Sequence, residues 1–200
     1  MRMKKLLFFL GLMHLLVVSS FAQESRQDVS MSFVGTFQPT VIGNAVTQSS
    51  TIGIGDLIEY RFMLNPNYGL EANYQYSQFT QKYVANFSSA RVHTRHQEFS
   101  AALVRGFVFK NFNPFVQAGG GLLTFAPIDD TKTTAGGAKH ASTYGLLFGG
   151  GIAYELSPSW DLRVEYRGII AKDTKFGLDT YNTNRYYLTN QPAIGFAYHF

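Results

Sequence analysis

Residues 191–200 read "QPAIGFAYHF". In an extended strand Ile194, Phe196, Tyr198 and Phe200 fall on one side, and Ala193, Gly195, Ala197 and His199 on the other. One face is apolar and the other is small or polar. Exposed to water, such a strand would be an adhesive edge, so it has to be paired, and its apolar face has to meet something other than water.

The opposite end of the chain says what that medium is. Residues 1–22 begin "MRMKKLLFFL", with Arg2, Lys4 and Lys5 ahead of an apolar run from Leu6 to Val18 and small residues before Gln23. That order is the pattern of an export signal, expected to be removed after Ala22. As a membrane-spanning helix the run falls short of the roughly 20 residues required. The chain has no cysteine, which excludes lipoprotein attachment and a disulfide scaffold. Its net charge of +4 is mostly a property of the signal, which holds three of the 17 basic residues and none of the 13 acidic ones. Residues 23–200 are therefore close to neutral, which argues against nucleic-acid binding, and they suit a single domain.

Composition adds a constraint. The chain carries 18 Phe, 12 Tyr and 19 Gly, yet after the signal no apolar run approaches helical spanning length. A membrane β-barrel reconciles the two, because lipid-facing apolar residues alternate with polar residues facing the lumen. Eight period-two segments can be placed, at about 28–38, 53–64, 68–79, 95–109, 115–125, 142–156, 160–172 and 188–200. Tight turns such as Asn65-Pro66-Asn67 and Ser157-Pro158-Ser159 alternate with four longer polar connectors: "PTVIGNAVTQSSTI", "TQKYVANFSSARVHT", "APIDDTKTTAGGAKHA" and "DTKFGLDTYNTNRYY". The fold expected is all-β: an eight-stranded antiparallel up-and-down transmembrane barrel with short periplasmic turns and long extracellular loops. A soluble eight-stranded barrel would line its interior with the aromatic residues and expose the charges instead.

The strand count, the turn and loop asymmetry, the signal and the terminal "GFAYHF" together resemble the small outer-membrane β-barrels of Gram-negative bacteria, the OmpA-like and OmpX-like membrane domains. The resemblance covers nearly all of residues 23–200. It implies that Ile194, Phe196, Tyr198 and Phe200 form a C-terminal signal read by the outer-membrane assembly machinery, and that lipopolysaccharide and phospholipid surround the barrel. It does not bring peptidoglycan anchoring with it, since that belongs to a separate periplasmic domain.

The candidate site is the set of inward charges: Glu59, Arg61, Glu71, Arg105, Glu155, Arg163, Glu165 and Arg167. An eight-stranded lumen is only wide enough to be filled by side chains, so these charges are expected to pair. They form either a structural network or a gate in which exchange of ion-pair partners opens a narrow path. Glu98 and Arg105 have opposite parity, so one must face lipid; because Arg at mid-depth costs about 2–4 kcal/mol, Arg105 is expected to point inward and Glu98 to sit near the loop rim or a bulge. His140 and Ser142 with Glu155 resemble the His-x-Ser plus Glu set of outer-membrane lipid A deacylases, but 13 residues of strand separate Ser142 from Glu155. That places the acid near the opposite rim. His93 and His96 lack a third metal ligand and, with Arg91 and Arg95, read as a basic loop or a contact for an anionic headgroup. No catalytic residue, metal or cofactor is expected. The function expected is a non-catalytic structural or surface-interaction protein presenting its loops, with a narrow gated channel as the alternative and a lipid-modifying enzyme last; the loop ligand is not legible.

Overall fold

The computed structural model describes residues 26–86, 88–129, 134–174 and 176–200; the expected signal, residues 1–22, lies outside them. Period-two alternation becomes ten strands: β1 (Gln27–Thr36), β2 (Val41–Gly43), β3 (Val46–Ser50), β4 (Gly53–Asn65), β5 (Tyr68–Ala85), β6 (Ser88–Gly106), β7 (Phe112–Pro127), β8 (Ala141–Ser157), β9 (Trp160–Lys172) and β10 (Tyr186–His199). Eight of them form a closed antiparallel wall in the order β5-β4-β1-β10-β9-β8-β7-β6, with β6 pairing back to β5. The seam between the first and last strands runs from Asp28 opposite His199 to Val34 opposite Ala193. The C-terminal strand is therefore no edge. Closure satisfies its backbone groups, as a bilayer demands.

The chain is turned inside out relative to a soluble protein. Met31, Phe33 and Leu146 stand on the outer surface at 61%, 70% and 69% exposure, while their sequence neighbours Ser30, Ser32 and Leu147 are buried. Outward aromatic residues gather toward both ends of the wall: Tyr60, Tyr68, Trp160 and Tyr198 at the short-turn rim, and Tyr74, Tyr76 and Tyr144 nearer the loop rim. Amphipathic rings favour these two levels of a membrane. At the tight turn after β4, the Asn65 side-chain oxygen accepts hydrogen bonds from the backbone N–H of Asn67 and Tyr68, both at 3.0 Å. This Asx turn replaces the ladder bonds lost where the chain reverses.

The loop rim departs from expectation in two places. "TQKYVANFSSARVHT" is strand over nearly its whole length, because β5 and β6 pair continuously from Tyr68 opposite Arg105 to Ala85 opposite Ser88. Its inward positions Gln81, Tyr83, Ala90, Val92 and Thr94 are all buried, so the alternation never stops; polar outward residues disguise it. "PTVIGNAVTQSSTI" contains the β2–β3 hairpin, turned at Asn44 and Ala45, both with positive φ. Asn tolerates that conformation better than most residues. β3 then pairs with the upper part of β5, Thr47 opposite Val84 and Ser50 opposite Gln81.

Candidate functional site

Along β9 the inward residues from the short-turn rim upward are Asp161, Arg163, Glu165, Arg167, Ile169 and Ala171. The lumen follows that sequence and is built in two layers.

The lower layer is charged and buried. Arg163 reaches Asp28 at 2.9 Å and Glu59 at 3.3 Å, and its Nη1 also donates to Ser30 Oγ at 3.2 Å. The Ser30 hydroxyl in turn donates to the Glu59 carboxylate. Arg61 donates through Nε and Nη2 to one oxygen of Glu71, at 2.9 and 2.6 Å. Arg167, fully buried, holds Glu98 at 2.6 Å, and Gln191 and Ser100 donate to the same carboxylate at 2.8 Å each. Glu165 accepts from Gln117 at 3.3 Å. Five buried carboxylates thus meet three guanidiniums across strands far apart in sequence. Phe115 closes the layer from below, its ring 4.4 Å from the Arg61 guanidinium carbon and 5.7 Å from that of Arg163. Gly149 makes room for this crowd: a Cβ there would lie 2.5 Å from the Tyr166 carbonyl oxygen and 3.3 Å from Gln117 Nε2.

Six of the eight charges expected to line the lumen lie in this layer: Glu59, Arg61, Glu71, Arg163, Glu165 and Arg167. Glu155 does not join them. It stands half-buried at the short-turn rim opposite Asp161 and makes no ion pair among the described residues. Arg105 reverses the expectation. It points outward at the short-turn rim, stacked over Tyr68 at 5.6 Å and Phe107 at 5.2 Å, while Glu98 points inward. At the membrane interface a long cation costs little because its head reaches water, whereas the interior supplies Glu98 with a guanidinium and two further donors. Arg105→Gln is accordingly expected to shift unfolding by no more than about 1 kcal/mol, the size of an exposed cation–π contact, in urea titrations of the refolded barrel.

The upper layer is apolar, and sequence reasoning missed it. Phe79, Leu123, Phe125, Leu147 and Ile169 fill the lumen above the ion pairs, with Tyr83, Val92, Ala171 and Tyr187 above them. Two residues from outside the wall complete the roof: Val46 from the β2–β3 hairpin and Phe176 from the segment after β9. Phe176 packs edge-on against Phe125 at 6.3 Å, and Tyr181 lies 6.2 Å from Tyr83. The segment after β9 is also pinned by polar contacts. Thr183 Oγ1 donates to Asp173 Oδ2 at 2.5 Å and the Tyr83 hydroxyl donates to the Thr174 carbonyl at 3.2 Å. Burial pushes the Asp173 carboxyl above the ordinary aspartate range, against the lowering pull of its hydrogen bonds with the Thr183 and Gln48 side chains and the backbone of Thr174 and Thr183. At the boundary of the two layers His96 stacks on Phe125 at 4.8 Å, fully buried and inward, so it cannot share a ligand with the outward His93. The signal was present as Phe79, Leu123, Phe125, Leu147 and Ile169, apolar residues on the inward parity of four strands. Ser142 and Glu155 stand at opposite ends of β8, as their spacing requires, and Ser142 instead faces Thr124 at 3.3 Å.

A closed eight-stranded wall, apolar outside and charged within, is the geometry of an outer-membrane barrel. The family model for the outer membrane protein beta-barrel domain matches residues 8–200. The chain belongs to that family. Its place is the outer membrane. No curated protein matches it in sequence. Among solved structures it is similar to Neisserial surface protein A (14% identity, 88% of this chain and 98% of that one, TM-score 0.64). It is likewise similar to OprG of Pseudomonas aeruginosa (13%, 87% and 95%, TM-score 0.63). A third likeness is to Ail, the attachment invasion locus protein of Yersinia pestis, solved with the heparin analogue sucrose octasulfate (13%, 88% and 99%, TM-score 0.52). At these identities the likeness is one of fold.

Proposed function

We propose that this protein is a non-catalytic, non-conducting anchor that holds a structured surface above the outer membrane for interaction with partners outside the cell. The observation that carries the reading is the roof of the lumen: extracellular residues Val46 and Phe176 are inserted into the apolar layer, so that sealing the lumen and ordering the loops are one packing event. A barrel used for passage has no need of two stacked seals, one of buried ion pairs and one of aromatic side chains. Pinning the loops in advance lowers the entropy lost when a partner binds them. The neighbour Ail, by its name a protein of attachment, is a precedent for such use of a barrel of this size, no more. We extend the reading to the outward row Ile194, Phe196, Tyr198 and Phe200, exposed along the closing strand, as the signal read by the assembly machinery.

The test is insertion of the refolded protein into planar bilayers. The wild type is expected to give no stepwise conductance. Regular open-channel steps would overturn the anchor reading in favour of the narrow channel. Replacement of residues 178–184 by a short Gly/Ser linker is expected to abolish surface binding while the unboiled protein still migrates faster than the boiled.

A further inference from the structure

The charged layer of the lumen does not balance. Asp28, Glu59, Glu71, Glu98 and Glu165 are buried with Arg61, Arg163 and Arg167, which leaves two carboxylate charges without a cation. An uncompensated charge is far more costly in the interior than in water, so another positive charge has to stand among them. Asp28 and Glu59 pair with Arg163, Glu71 with Arg61 and Glu98 with Arg167. Glu165 makes no ion pair among the described residues.

The Glu165 carboxyl lies within hydrogen-bonding reach of Glu59, an acid against an acid. One oxygen of each, Glu59 Oε1 and Glu165 Oε1, has no hydrogen-bond partner among the described residues. Two neutral side chains beside them are orphaned as well. Asn73, 5% exposed, stands opposite Glu59 in the β4–β5 pairing on the same inward face, and neither polar atom of its amide is bonded. Gln117 donates to Glu165 through Nε2, while its buried Oε1 finds no donor. The register puts these groups at one level. The row through Glu59 runs by Asn73, Ser100, Gly121 and Gly145 to Ala171. With strands ~4.8 Å apart and tilted ~40°, a row climbs roughly 3 Å per strand, and a strand roughly 2.5 Å per residue. Gln117 lies four residues below Gly121 and Glu165 six below Ala171. That offset cancels the climb to within about 1 Å and leaves Asn73 one step higher.

We propose that Glu59 and Glu165, with the side-chain oxygens of Gln117 and Asn73, bind a divalent cation of calcium's size inside the barrel. No three acidic or histidine side chains form a metal site by themselves among the described residues, so this one mixes two carboxylates with two amide oxygens. An all-oxygen set suits a hard cation. Calcium accepts about six to eight such ligands in irregular geometry, whereas magnesium demands a near-ideal octahedron. Its two positive charges close the balance of the layer. A proton shared by the two carboxyls would join them, yet it would leave one charge over and the amide oxygens unserved. Glu59 keeps its other oxygen for Arg163 and Ser30, so the ion pairs stay intact. Phe115 below and the aromatic roof above close off this level, so the ion enters as the barrel folds and leaves when it unfolds.

The experiment refolds the protein in detergent with calcium, dialyses it against a chelator, and reads retained metal by inductively coupled plasma mass spectrometry. The wild type is expected to keep one calcium ion per barrel and to release it on boiling. Glu165→Gln, nearly the same in shape, should lower the retained calcium by at least about tenfold. Gln117→Leu leaves both carboxylates in place and should raise the calcium concentration for half-loading about 10-fold. Faster migration of the unboiled band checks that each variant is folded, and Gln117→Leu carries the test where Glu165→Gln does not fold. Asp129→Asn, beyond β7 at the loop rim, should leave the metal content unchanged. A wild-type barrel free of calcium after this treatment would overturn the proposal. So would retention by Glu165→Gln equal to the wild type, or loss by Asp129→Asn, which would place the ion on the loops. A metal-free wild type with the infrared band of a protonated carboxyl, abolished by Glu165→Gln, would overturn it in favour of the shared proton. A barrel that conducts yet keeps its calcium would sink the anchor reading and leave this site standing.

Discussion

Arg167→Ala is expected to cost the folded barrel about 3–5 kcal/mol, the cost of removing one partner from a buried ion pair. Arg167 has no exposure, and its loss leaves the Glu98 carboxylate in the interior with Gln191 and Ser100 as its donors among the described residues. Urea titration of the refolded protein, read by the fraction of faster-migrating unboiled band, measures the effect. Replacing both members, Arg167→Met with Glu98→Met, is expected to cost less than Arg167→Ala alone, because no uncompensated charge remains and the added side chains adjoin the apolar layer. An Arg167→Ala barrel as stable as the wild type would mean that the upper layer alone holds the interior together.

Phe125→Ala should cost a comparable amount, about 3–5 kcal/mol for a phenyl ring lost from a packed core. Phe125 is fully buried and touches rings on every side: Phe79 at 6.5 Å, His96 at 4.8 Å and Phe176 at 6.3 Å. The contact with Phe176 gives this variant a second readout. With Phe125 gone, the segment after β9 loses its anchor, so protease added outside proteoliposomes should cut within residues 173–185 faster than in the wild type. Conductance should stay absent, because the ion pairs of Arg61, Arg163 and Arg167 remain below. Faster cleavage without conductance would support two independent seals. Unchanged cleavage would separate loop order from lumen packing and remove the basis of the anchor reading.

Alternation carried the fold. Ile194, Phe196, Tyr198 and Phe200 could be assigned outward from parity alone, because a strand has only two faces and the barrel only one apolar surroundings. The same rule put Glu59, Arg61, Glu71, Arg163, Glu165 and Arg167 inside. It failed for Glu98 and Arg105, where parity says that two residues differ in facing but not which way each points. Depth decides that, and depth depends on register with β5 and β7. The extended β5–β6 hairpin was hidden for a related reason. Its outward residues leave the membrane at Gln78 and become polar, so the hydrophobic half of the alternation survives only on the inner face.

What the sequence determined by itself is the wall: eight crossing strands, their lipid-facing rows and the asymmetry of turns and loops all follow from local spacing, which the pleat converts directly into facing. What only the tertiary structure decided is the filling. Arg163 meets Asp28 and Glu59, Arg167 meets Glu98, and Phe176 reaches Phe125 only once the sheet has closed and its register is set. Closure brings residues on distant strands to one level of the lumen, and no local pattern encodes that level, because it is a property of the whole sheet's stagger.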